Sequence, residues 1–162
     1  MTTIFETGAP QTIAQVLANK DARAALQAQL VATKAPATIV VAKLNIPGPI
    51  KANQTLSRVF TAGMAAWQNR LATAAVVKRL AVQFEDQFTL GRLFDLDVLT
   101  VQDGQVKPLS RSDFDLPVRT CFICGRPAKE CARSRRHSVA ELQTMISQRV
   151  QEFFAKEGPT DA

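Results

Sequence analysis

Apolar residues recur at helical and strand periods along most of this chain. Over residues 11–32, Ile13, Val16, Leu17, Leu26, Leu30 and Val31 recur at mostly helical spacing, and Thr12 is placed to cap the start. The segment from Ala37 to Ile46 (ATIVVAKLNI) is β-branched and bounded by Pro36 and Pro47, which predicts a strand. Pro47-Gly48-Pro49 ends it in a stiff loop. A second helix is predicted from Gln54 to Leu71, with Leu56, Val59, Phe60, Met64, Trp67 and Leu71 on one stripe. Val76, Val77, Leu80, Ala81, Phe84 and Phe88 continue the pattern. Nothing between Leu71 and Val76 breaks a helix, so the two are readable as one.

A strand follows from Phe94 to Val101, and Asp103-Gly104 signals a turn into a return strand around Val106. Ser138 and Glu141 form a capping-box pattern. It opens a C-terminal helix expected to bury Val139, Leu142, Met145, Ile146, Val150, Phe153 and Phe154, and Gly158–Ala162 should fray. The expected fold is α+β: one domain over 1–162, with a small, mostly antiparallel sheet and helices packed on it.

The composition bears on the setting of that fold. With 162 residues, 46% hydrophobic and 21% charged, the chain is large enough to bury a core. No stretch approaches the ~20 apolar residues of a membrane span, and the acidic start MTTIFETGAP lacks a signal core. Three cysteines, an odd number, argue against a disulfide framework and fit a reducing cytoplasm. The net charge of +6 calls for an anionic partner. No tyrosine and one tryptophan make a poor base-stacking surface, which argues against nucleic acid.

The candidate chemistry lies between Gly91 and His137. Asp95 and Asp97 are two apart on a strand, so both carboxylates share one face while Leu96 and Val98 point inward. Aspartate is a poor strand residue. Asp-x-Asp on a strand is also how nucleotidyltransferases of the polymerase-β type hold Mg²⁺, with substrate phosphates completing the shell. Gly91 just upstream would let backbone approach a phosphate. The bland alternative is an ordinary half-exposed acidic strand.

RTCFICGRPAKECARSRRH (Arg119–His137) carries five arginines and a lysine against one glutamate. Such a cluster is either a solvated surface or a cradle for phosphate, and Arg119, Arg126, Arg133, Arg135 and Arg136 repel one another unless an anion relieves them. Lys51, just after the Pro-Gly-Pro loop, is a candidate further phosphate contact. Cys121-x2-Cys124-x6-Cys131-x5-His137 has the spacing of a Cys3His zinc site. The competing expectation, slightly preferred, is three buried thiols packing a compact loop, with His137 free for general-base or phosphate work.

At these residues the chain resembles a known family. GRLFDLDVL, SRSDFDLPVRTCFIC and CARSRRH resemble the C-terminal half of apo-citrate lyase phosphoribosyl-dephospho-CoA transferases (holo-citrate lyase synthases). LNIPGPIK (Leu44–Lys51), the helix around Arg58–Met64 and QVLANKDARAALQ (Gln15–Gln27) resemble the N-terminal half, so the likeness covers nearly the whole chain. It implies a nucleotidyltransferase-like enzyme that attaches 2′-(5″-triphosphoribosyl)-3′-dephospho-CoA to a serine of the citrate lyase acyl carrier (gamma) subunit and releases diphosphate. It further implies Asp95 and Asp97 as catalytic Mg²⁺ ligands, one also assisting deprotonation of the serine. Arg92, Arg119, Arg133, Arg135 and Arg136 would neutralise phosphate charge.

One departure stands out. The family carries a stretch with a Gly-Pro-Glu element and an extra strand before the GRLFDLDV strand, where here Leu71 runs through ATAAVV into the next helix. Two other readings therefore stay open: a shortened, inactive member, and a non-catalytic zinc-stabilised basic module binding an acidic protein or RNA.

Overall fold

The computed structural model describes residues 2–34, 38–67, 73–102 and 105–157. Five α-helices accompany one three-stranded antiparallel sheet among these residues: α1 (Ile13–Lys34), β1 (Thr38–Leu44), α2 (Gln54–Ala66), α3 (Ala74–Gln87), β2 (Phe94–Gln102), β3 (Gln105–Leu109), α4 (Ala128–Arg133) and α5 (Val139–Glu157). The α+β expectation holds. No described helix is long and apolar enough to cross a membrane.

β2 is the central strand because it is the one that can bury a full face. Phe94, Leu96 and Val98 are buried in alternation with half-exposed Asp95 and Asp97. β1 pairs along its length with β2, from Thr38 opposite Thr100 to Leu44 opposite Phe94. β3 pairs only with Val98 to Gln102. The Asp103-Gly104 turn lies outside the described residues, but Gln102 and Gln105 on either side pair directly.

The core forms where α2, α3 and α5 cover the apolar face of β2. Leu56 and Val59 come from α2, Val77, Ala81 and Phe84 from α3, and Ile146 and Val150 from α5. Phe84 meets Phe94 edge-on at 5.4 Å. Two glycines permit this density. A Cβ on Gly63 would lie 1.9 Å from the Phe94 ring, and one on Gly91 would lie 2.3 Å from the Phe84 carbonyl oxygen.

Helix starts follow their caps. Asn53 Oδ1 accepts the Leu56 N–H at 2.8 Å, and its amide donates to the carbonyls of Ile4 and Thr7. Thr12 and Gln15 exchange bonds at the start of α1, and Ser138 and Glu141 do the same before α5.

Several expectations change. α2 and α3 are separate helices. α2 ends at Ala66, where Trp67 turns extended (ψ 97°), and Thr73 before α3 is extended as well (ψ 153°). Leu71 lies outside the described residues. α3 buries a rotated face, Val77, Lys78, Ala81, Val82, Phe84 and Glu85, and leaves Val76 exposed. An apolar count misses this face because two of its members are charged. Val139, at the entry to α5, is also exposed. α1 is a helix as expected, but none of its residues is buried, and Ile13 is 81% exposed. A cavity of about 650 Å³ is lined by Val16, Asn19 and Arg23 of α1 together with Lys43 of β1 and Phe60 of α2.

Candidate functional site

Asp95 and Asp97 project from one face of β2, as the two-residue period requires. Their carboxylates converge on one point. Lys43 of β1, the register partner of Asp95, places its ammonium 2.9 Å from Asp95 Oδ2 and in hydrogen-bond contact with Asp97 Oδ2. Burial pulls the Lys43 pKa down, but the bonds to Asp97 and Asp95 outweigh it and hold the ammonium above the ordinary lysine value. Two carboxylate oxygens that share one cation have the donor set and convergence a divalent metal requires. Lys43 itself was not singled out from sequence.

Arg119 reaches the same site from the other side. Its guanidinium donates to Asp95 Oδ1 at 3.3 Å and to the Phe94 carbonyl. Arg119 also borders a cavity of about 490 Å³, together with Arg92, Arg135, His137 and the Asn45-Ile46-Pro47 turn. This cavity and the one beside α1 share Asn45 and Ile46. Asp95 lines neither cavity, but it is touched by Lys43, which borders one, and by Arg119, which borders the other.

The arginines separate into two groups. Arg92 donates to the Thr120 carbonyl and stacks over Phe122 at 5.3 Å, while its Nη1 is buried without a hydrogen-bond partner. Burial, and then the neighbouring Arg119 charge, lowers its pKa. Arg119 Nε is likewise buried and unpartnered. Both residues border the cavity, and each keeps one buried donor without a partner among the described residues, a condition that a bound anion relieves. Arg126, Arg133 and Arg136 are exposed and do not border the cavity.

Lys51 lies apart from these groups. Its ammonium donates to the Ile46 carbonyl at 2.7 Å, burial lowers its pKa, and it borders the α1-side cavity. Gly91 is buried against the α3 backbone, so close packing accounts for its missing side chain. Sequence reasoning also passed over Glu85 and Arg111, which join at 2.6 Å beneath β2.

Cys121, Cys124, Cys131 and His137 come together. One ligand atom from each lies within 4.8 Å of all the others. Cys124 and Cys131 approach to 3.3 Å between sulfurs. His137, then the Arg126 backbone N–H and Cys131, pull the Cys124 thiol down to about 6. Cys124 in turn pushes Cys131 up to about 11. Only Cys131 is fully buried.

A family model described as apo-citrate lyase phosphoribosyl-dephospho-CoA transferase matches residues 11–76 and 70–153. The chain belongs to this family. A relative from Streptococcus pyogenes serotype M18, named "Probable apo-citrate lyase phosphoribosyl-dephospho-CoA transferase", is 31% identical over 174 residues, 93% of this chain and 91% of that protein. "Protein CitXG" of Leuconostoc mesenteroides subsp. cremoris is 32% identical over 92% of this chain and 37% of its own length. A relative from Vibrio cholerae serotype O1, with the same name as the streptococcal one, is 33% identical over 68% of this chain and 75% of its own.

These apo-citrate lyase phosphoribosyl-dephospho-CoA transferases are named for group transfer to citrate lyase. The 174-residue alignment is longer than the 162-residue chain, so the streptococcal transferase carries positions that this one lacks. The two matched segments of the transferase model overlap at residues 70–76, a stretch that runs into the first turn of α3.

Proposed function

We propose that this protein transfers the 2′-(5″-triphosphoribosyl)-3′-dephospho-CoA group to a serine of the citrate lyase acyl carrier (gamma) subunit, releasing diphosphate, as a cytoplasmic nucleotidyltransferase. The observation that carries the proposal is the position of Asp95. One neighbour, Lys43, pairs it with Asp97, and the other, Arg119, opens on an arginine-lined cavity. A carboxylate pair beside unspent guanidinium donors suits a polyphosphate whose charge must be neutralised as diphosphate departs.

Asp95 and Asp97 fit Mg²⁺, since their oxygens already converge on a cation. When bound there, Mg²⁺ supplies Lewis-acid stabilisation of the phosphate charge. Lys43 would yield part of its hold on the pair to the metal. Arg92, Arg119 and Arg135 hold the donor phosphates. The serine oxygen forms its bond to the α-phosphorus, the bond from that phosphorus to the bridging oxygen breaks, and diphosphate leaves with the electron pair. The serine proton passes to a carboxylate of the pair. The basic chain also suits an acidic carrier helix.

Mass spectrometry of the apo carrier incubated with enzyme, Mg²⁺ and donor tests the reading. One prosthetic-group mass increment on the serine is expected. No increment from folded enzyme would overturn it in favour of a second reading, a shortened member that folds without turning over. The longer alignment to its relatives is what favours that alternative.

A further inference from the structure

We propose that Cys121, Cys124, Cys131 and His137 bind one structural zinc ion that fixes the wall of the arginine-lined cavity. The local backbone is built to bring these four together. Gly125 takes φ 70°, turning the chain directly after Cys124, and the Cys121 N–H then donates to the Arg126 carbonyl at 2.7 Å. Ala128 closes the same loop through its N–H to the Arg119 carbonyl at 2.8 Å. Cys131 follows on α4. Beyond it Arg135 sits at φ 46°, a left-handed conformation that a side chain rarely adopts, and the turn returns His137 to the thiols.

The dimensions suit zinc. Zinc–sulfur bonds of about 2.3 Å place tetrahedral ligand atoms roughly 3.5–4 Å apart. All four atoms already lie within 4.8 Å of one another. His137 Nε2 is buried with no hydrogen-bond partner, so a ring nitrogen is left for a ligand. Packing alone would bury all three thiols, yet only Cys131 is fully buried. A Cys124–Cys131 disulfide would leave Cys121 and His137 without a reason to converge. Three thiolates select a soft ion, and four protein ligands close the shell, so the site is structural and not hydrolytic.

The ion would act through the residues between its ligands. Phe122, in the segment from Cys121 to Cys124, has the guanidinium of Arg92 over its ring at 5.3 Å and that of Arg149 at 5.5 Å. Cys121, Cys131, Arg135 and His137 all border the cavity. Zinc would thus hold Phe122 and Arg135 in place whatever ligand the cavity takes.

Metal analysis of the full chain, purified without chelator, tests this with neither donor nor carrier present. About one zinc per chain that survives desalting is expected, with the three thiols reacting with a disulfide reagent only after a chelator removes the metal. Less than about a tenth of an equivalent, or iron in place of zinc, overturns the proposal. Because Cys124→Ser could fail to fold, the wild-type chain is also loaded with Co²⁺. Intense visible bands and thiolate-to-cobalt charge transfer support a four-coordinate sulfur site, and a weak octahedral spectrum overturns it. Removing zinc should speed tryptic cleavage after Lys129 and Arg133; unchanged cleavage overturns the positioning role.

Discussion

Glu85 of α3 accepts the backbone N–H of Leu96 at 2.8 Å, directly between the two aspartates of β2. β3 pairs with β2 only from Val98 onward, so among the described residues the outer edge of Phe94–Leu96 has no strand partner. Side chains take its place: Glu85 takes the Leu96 N–H and Arg119 takes the Phe94 carbonyl. The Glu85 side chain is only 6% exposed, and its second oxygen meets Arg111 at 2.6 Å and Arg119 at 3.6 Å. This network holds the segment that carries Asp95 and Asp97 without blocking it with a strand.

Removing Glu85 leaves the Leu96 N–H without its buried acceptor and takes one carboxylate from Arg111 and Arg119, which keep Asp86 and Asp95. Glu85→Ala should cost about 1–3 kcal/mol of stability, the usual penalty for a buried donor left unsatisfied. Urea unfolding measures it. A loss below about 1 kcal/mol would show that water satisfies this edge equally well.

The carboxylate pair should bind divalent cations in competition with Lys43. Asp97→Asn removes metal charge with little change in volume. It should weaken Mn²⁺ binding by about tenfold or more and abolish transfer with the fold intact. Lys43→Gln should tighten Mn²⁺ binding, because the competing ammonium is gone. Calorimetric titration reads both, and Mn²⁺ affinity unchanged in both variants removes the pair as a metal site.

Asn53 joins the start of α2 to the N-terminal segment through three bonds. Asn53→Ala should destabilise the protein by about 1–2 kcal/mol, at the upper end for a cap because two carbonyls also lose their donor. Thermal unfolding at fixed pH checks it.

The α5 cap sets a pH dependence. The Ser138 backbone N–H, then its hydroxyl, hold the Glu141 carboxyl below its usual range. A depressed folded-state pKa contributes stability that is present above the unfolded value and lost as pH falls through the folded one. The stability gap between wild type and Glu141→Ala should therefore be constant near neutrality and close in the acid range. A gap that persists at the acid end would assign the effect to helix propensity.

Local rules foresaw local features. The two-residue strand period placed Asp95 and Asp97 on one face, and the Ser138–Glu141 spacing marked the start of α5. What depends on register did not show. Lys43 and Asp97 are 54 positions apart and meet only because β1 pairs with β2 in one particular alignment. Glu85 carries no local signal in the sequence, because its partner Arg111 arrives from the loop after β3. The apolar periodicity of α1 was real, but α2, α3 and α5 already fill the core face of β2.

The arginines provide the sharpest test of the cavity, because sequence grouped them and the structure separates them. Arg92, Arg119 and Arg135 border it; Arg133 and Arg136 do not. Arg92 borders the cavity and its buried Nη1 has no partner among the described residues, so a phosphate oxygen that reaches it gains a charge-assisted bond at no cost to an existing one. Arg92→Ala should weaken donor binding by about 1–3 kcal/mol, roughly 5- to 150-fold. The loss should fall mainly on the donor KM if the contact is equal in ground and transition states. Arg133→Ala should change donor affinity by less than about twofold, since an exposed guanidinium outside the cavity offers only screened attraction. Direct donor titration against both variants decides the matter. Equal losses would mean that the whole basic stretch attracts the donor as a diffuse field, and that this cavity is not where its phosphates sit.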